Sequence, residues 1–269
     1  MTPTADDVRA LARSSPWLWR VMHLRTSGPL WGDVEAWLAR PGLLAVRTGD
    51  GEWHRQDHTT GAGTAVFGWA GGIAVTPTVV HRWIGDEPAL RRPDGLVAER
   101  PTDGQRDDGT HLLLDADDPM WHNYSWVAML DPVELSRDVD IEDIEVAQVR
   151  GRDTWLATMR SQADYEPRCS CCALLWDETS APRLAEADGW PGRPGEVLAT
   201  GHRVGLDVAT GIVTTLRPLD GDRDDAAFEV EILEVDGDVQ VPLERAAAAE
   251  AARAARVQDA GPGWTAYHP

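Results

Sequence analysis

The sequence predicts a mainly β, α+β fold, an antiparallel sheet accompanied by helices at the N-terminus, in the middle of the chain and at the C-terminus. Three observations carry this. Short runs rich in Val, Ile, Leu and Trp recur between turns that contain Gly, Pro and Asp. A meander of three alternating segments spans 203–235, and an Ala-rich stretch after Pro242 favours helix over strand. With 269 residues, 42% of them hydrophobic and 13 of them Trp, the chain can fill one sizeable core, and β architectures reach this length undivided. One domain over 1–240 is expected, followed by an Ala-rich helix and tail over 241–269.

Taken in order, Thr4 is placed to cap a helix over 5–15, where Val8, Leu11 and Ala12 fall at helical spacing. After Pro16 the bulky alternation from Trp17 to Arg25 fits a strand that stops at Ser27-Gly28-Pro29. Segments 42–48 and 52–55 flank Gly49-Asp50-Gly51, residues that tolerate the positive φ of a tight hairpin turn. Two more turn-bounded segments lie around 68–80 and 84–97, and 100–110 reads as a polar loop. Spacing over 119–129 is helical, and Asp131-Pro132-Val133-Glu134 has the cap, first-turn Pro and N3 carboxylate of a second helix. Strands are expected over 142–150 and 153–160, joined at Gly151-Arg152, and then over 203–208, 212–216 and 228–235. In the last of these Phe228, Val230 and Ile232 alternate with Glu229 and Glu231, so one face is buried and the other wet. The closing helix runs over 243–257 with few large apolar residues.

Charge narrows the function classes. The net charge is −20, with 45 acidic residues against 25 basic ones, all of them Arg. A polyanion meets net repulsion, so no nucleic-acid partner is expected. The first 17 residues carry Asp6, Asp7, Arg9 and Arg13 within what would be a signal sequence, and no window offers the roughly 20 apolar residues of a membrane span. No stable membrane insertion and a cytoplasmic location are therefore expected. All three cysteines sit in Cys169-Ser170-Cys171-Cys172, which makes no disulfide framework.

The layout of N-terminal helix, hairpins, mid-chain helices and a meander containing Leu206-Asp207-Val208-Ala209-Thr210-Gly211-Ile212 resembles the half-barrel of lipoprotein-carrier (LolA-like) and sigma-regulator (MucB/RseB-like) proteins. The resemblance covers 5–240 and rests on architecture and that one strand-turn-strand phrase. It implies a curved antiparallel sheet plugged by helices, with an apolar guest, a hydrophobic small molecule or protein segment, held in the concave face. The chain is expected to depart from those proteins in having no export signal. Trp19, Trp69, Trp83 and Trp126 are the candidates for lining such a cavity, because an indole fills wide apolar space and offers one hydrogen bond at its rim.

The sharpest chemical feature is Cys169, Cys171 and Cys172. Thiolates are soft metal ligands, and Arg168 beside them is expected to lower their pKa. A tetrahedral zinc site needs a fourth ligand, for which His202 or Asp164 is available, but adjacent Cys171 and Cys172 should face one ion only with strain. The bland alternative is that these cysteines are small buried hydrophobes leading into Ala173-Leu174-Leu175-Trp176. Asp220, Asp222, Asp224 and Glu231 match part of a calcium-loop spacing, yet Asp225 replaces the required Gly and the flanks read as strands, so an acidic turn is expected. His54, His58 and His122 lack any accompanying nucleophile motif. The sequence therefore points to a non-enzymatic binding protein with no obligatory cofactor. A thiol-based metal or redox module with zinc as its ion, and an acidic scaffold or inhibitory partner, are the alternatives.

Overall fold

The computed structural model describes residues 2–58, 79–189, 195–222 and 226–259. Helix α1 (Ala5–Leu18) opens the fold. Thr4 and Asp7 cap it reciprocally: Asp7 accepts the Thr4 amide at 2.7 Å while Thr4 Oγ1 accepts the Asp7 amide at 3.3 Å. The helix runs three residues past its expected end and carries Pro16 in its last turn. Tertiary anchors hold that turn against the lost amide: Arg40 donates to the Ser15 carbonyl at 2.7 Å, and the Trp17 indole donates to the Glu87 carbonyl at 2.9 Å.

The strands are β1 (Val21–Ser27), β2 (Val34–Ala39), β3 (Leu43–Thr48), β4 (Trp53–Asp57), β5 (Val79–Trp83), β6 (Leu90–Arg91), β7 (Val97–Glu99), β8 (Gly104–Gln105), β9 (His111–Asp115), β10 (Val139–Val149), β11 (Arg152–Ser161), β12 (His202–Asp207), β13 (Val213–Pro218) and β14 (Phe228–Val235). Nine form one curved antiparallel sheet in the order β10-β11-β12-β13-β14-β1-β2-β3-β4, and it does not close into a barrel. The mainly β half-barrel with helices at both ends and in the middle is thus the observed architecture. Its two halves join where the last strand meets the first, with Leu24 opposite Ile232 and Thr26 opposite Val230. Strands β5, β9 and β8 form a small second sheet, and β6 pairs with β7.

Period-two alternation assigns the faces. Met22, Leu24, Ala36, Leu38, Leu44, Val46, Val204, Leu206, Leu216, Phe228 and Val230 bury one face against Val8, Leu11 and Ala12 of α1 and Trp126, Met129 and Leu130 of α2 (Tyr124–Leu130). Each fully buried side chain of this kind contributes roughly 1.5–3 kcal/mol. On the opposite face Trp37 and Ala45 pack with Val239 and with Leu243 and Ala246 of the C-terminal helix, which spans Gln240–Asp259. Elsewhere that face is wet and charged, with Arg25 at 3.5 Å from Glu231 and Arg160 at 2.7 Å from Glu142. No helix among the described residues is long and apolar enough to cross a membrane.

Several local expectations differ. The expected helix after Asp131 is a 3-10 turn, Val133–Ser136, because the Asp131 carboxylate binds Arg100 and Arg168 instead of capping amides. The central helix starts at Tyr124, five residues after Pro119. Helix α3 (Ser180–Ala187) and strand β2 were not anticipated, and Gly104–Gln105 inside the expected loop pairs with β9. In chain order the Gln240–Asp259 helix is α4.

Candidate metal centre

The cysteine segment lies between β11 and α3 and is anchored from beneath by buried polar groups. Tyr165 donates its hydroxyl to Glu134 Oε1 at 2.5 Å, and the same carboxylate accepts the backbone amides of Leu174 at 2.9 Å and Arg168 at 3.2 Å. Burial raises the Glu134 carboxyl above its ordinary range despite these three donors, and it raises the Tyr165 hydroxyl further still. One glutamate therefore holds both ends of the loop that carries the thiols.

Residues Ser170–Cys172 form a 3-10 turn, closed by the Cys172 amide donating to the Cys169 carbonyl at 3.2 Å. Three residues per turn bring side chains at i and i+3 into register. That winding gathers the sulfurs on one side of the turn. Cys169 Sγ lies 3.2 Å from Cys171 Sγ, which lies 3.4 Å from Cys172 Sγ, and all three sulfurs are within 4.8 Å of one another. All are free thiols, with Cys171 exposed and the other two half-buried. Ser125 Oγ donates to the Cys172 carbonyl at 3.0 Å and Ser170 Oγ to Asp188 at 2.6 Å, so α2 and the end of α3 brace the turn. A cleft of about 150 Å³ opens beside Cys171 and Cys172, bordered by Leu30, Asn123, Ser125 and Phe228.

Electrostatics reverse one expectation. Arg168 does not lower the thiols, because its guanidinium is committed to Asp117 at 2.5 Å and to Asp131. Burial raises Cys169 and Cys172. At Cys171 the hydrogen bond with Cys169 lowers the thiol, but Cys172, burial and Asp188 outweigh it.

The remaining sequence candidates lie elsewhere. Neither proposed fourth ligand belongs to the thiol group: Asp164 is exposed in the chain after β11, and His202 is buried on β12. Its Nδ1 has no hydrogen-bond partner among the described residues, and burial depresses its pKa to about 4 against the pull of Asp177 and Asp220. Trp19, Trp83 and Trp126 are 2%, 4% and 0% exposed, packed into the interior instead of bordering the cleft. Trp19 and Trp83 face the guanidinium of Arg40 at 3.4 and 5.4 Å, and Trp126 meets Trp31 edge-on at 5.3 Å. Trp69 falls outside the described residues. Asp220 and Asp222 accept backbone amides from Thr200 and Val197, as an acidic turn does, and Asp224 is outside the described residues.

Sequence reasoning missed the ionic layer beneath the site. Arg40 pairs with Asp118, and Arg100 and Arg168 share Asp131. Burial alone would raise the Asp131 carboxyl, but the two arginines hold it below the ordinary range. The available signal was the acids Asp117, Asp118 and Asp131, of which the sequence reads Asp131 as a helix cap. No family model, curated protein or solved structure matches the chain.

Proposed function

We propose that the chain is a binding protein for a soft, thiophilic ion, held by Cys169, Cys171 and Cys172. The observation that carries this reading is the convergence of three free sulfurs within 4.8 Å on a turn braced by α2, α3 and Glu134. Soft sulfur donors select thiophilic ions over magnesium or calcium. Titration of the reduced chain with cadmium(II), followed by sulfur-to-metal charge-transfer absorption, tests it. One equivalent should saturate the signal, and a chain with all three cysteines replaced by serine should give none. Equal absorption from that variant would refute the reading.

A second reading keeps the half-barrel as a receptor for an apolar guest, in line with the LolA-like resemblance. The observation that favours it is a cleft of about 460 Å³ bordered by Leu11, Leu96, Trp155 and Val208. Beside it Val146, opposite Trp155 in the register, is 56% exposed. Native mass spectrometry after mild extraction should then show apolar mass that co-purifies with the chain and is lost on Trp155→Arg. A clean apo spectrum sinks this second reading.

A further inference from the structure

Resting on the reading of Cys169, Cys171 and Cys172 as one site, we infer that its ligand is a trivalent arsenic or antimony oxyacid, in preference to a divalent cation. Ligand number comes first. Among the described residues the group holds three sulfurs and no fourth donor, whereas structural zinc is almost always bound by four protein ligands. A three-bonded centre needs nothing more.

Spacing agrees. A tetrahedral ion with bonds of about 2.3 Å holds its sulfurs about 3.8 Å apart, whereas a pyramidal centre with nearly right-angled bonds of that length holds them about 3.3 Å apart. Two of the three sulfur pairs here stand at 3.2 and 3.4 Å, and the third pair, Cys169 with Cys172, lies within 4.8 Å.

Charge decides between the classes. The charged groups around the turn are Asp188, at the end of α3, and Arg168, already paired with Asp117 and Asp131. Among the described residues Arg168 is therefore committed elsewhere and does not offset surplus thiolate charge, and the whole chain stands at −20. Three thiolates around a divalent ion leave one net negative charge, and around copper(I) they leave two. Around a trivalent arsenic centre they leave none.

Proton balance gives the same answer. Arsenous acid, As(OH)3, condenses with three thiols: three As–O and three S–H bonds break, three As–S bonds form, and each hydroxyl leaves as water with a thiol proton. Arsenic stays trivalent, no electron moves and no proton is released. A divalent cation must instead expel up to three protons.

The test uses the full chain, reduced with a phosphine, and titrated separately with arsenite and with zinc chloride. Native mass spectrometry should show one arsenic in place of three hydrogens, with all three thiols protected from alkylation. Arsenite affinity should change less than about twofold from pH 6 to 8, whereas zinc affinity should fall steeply with acid, by up to about a thousandfold per pH unit if three protons leave. Cys171→Ser, at an exposed position, should weaken arsenite about tenfold or more, equivalent to about 1.4 kcal/mol. Zinc bound more tightly than arsenite at pH 7, or arsenite binding that releases protons, overturns the inference and leaves the thiol site standing. If neither zinc, arsenite nor cadmium binds, the site itself falls.

Discussion

Arg40 and Asp118 form a two-pronged ion pair in which neither side chain reaches solvent: Nε meets Oδ1 at 2.9 Å and a terminal nitrogen meets Oδ2 at 2.7 Å. The guanidinium also lies over the Trp19 ring at 3.4 Å and donates to the Ser15 carbonyl. The pair joins β2, α1 and the chain before α2. Removing one partner strands a buried charge, at a cost of about 3–5 kcal/mol, while replacing both by apolar residues costs much less. Asp118→Ala should therefore lower the denaturant midpoint far more than Arg40→Met combined with Asp118→Leu. A single variant that loses under about 1 kcal/mol would show that the charge is solvated after all.

Glu134 and Tyr165 give a second test at the base of the thiol loop. Tyr165→Phe removes the hydroxyl that donates to Glu134 at 2.5 Å and leaves a buried acceptor short of a partner, a loss of about 1–3 kcal/mol. Because burial raises the folded pKa of Glu134, the stability linked to this group is complete below its unfolded value and is lost as pH rises through the folded one. Tyr165→Phe combined with Glu134→Gln should flatten that dependence in urea melts taken from pH 4 upward. An unchanged slope would argue against a buried, protonatable Glu134.

His202 acts in the opposite direction. Its folded pKa is depressed to about 4 from an ordinary 6.5, so its contribution is present above pH 6.5 and is lost as pH falls towards 4. The size is about 3 kcal/mol over that window. Replacing His202 by Leu should remove most of this acid sensitivity while leaving stability near pH 7 little changed. If wild type and variant lose stability in parallel between pH 6.5 and 4, the buried neutral histidine is not the cause.

Thiol reactivity follows from the raised pKa values. Iodoacetamide at pH 7 should modify the chain slowly, with Cys171 ahead of the half-buried Cys169 and Cys172, and the rate should climb through and beyond the ordinary thiol range. Peptide mapping of partially alkylated protein reads the order. A fast thiolate at pH 7 on Cys169 or Cys172 would contradict the electrostatics of the turn.

Legibility followed locality. The β12 to β14 meander could be read because Phe228, Val230 and Ile232 alternate with glutamates on a half-wet face. Strand β2 could not, because Ala36, Trp37 and Leu38 are all buried and show no alternation. Helix α3 hid behind Pro182, which its first turn tolerates. The thiol spacing was plain, but convergence of the sulfurs depends on a 3-10 turn held by Glu134, a partner distant in sequence. Asp118, 78 residues from Arg40, shows the same limit for the ionic layer. Asp131 looks like a cap in the sequence because nothing local distinguishes a cap from a buried counter-ion.

X-ray absorption at the cadmium edge of the one-equivalent complex tests the central claim most directly, because it counts the sulfurs on the ion. Three sulfur neighbours per cadmium in the wild type, falling to two on Cys171→Ser, are the outcome required by a single site built from Cys169, Cys171 and Cys172. A shell of oxygen and nitrogen alone, or one unaltered by that substitution, would contradict it.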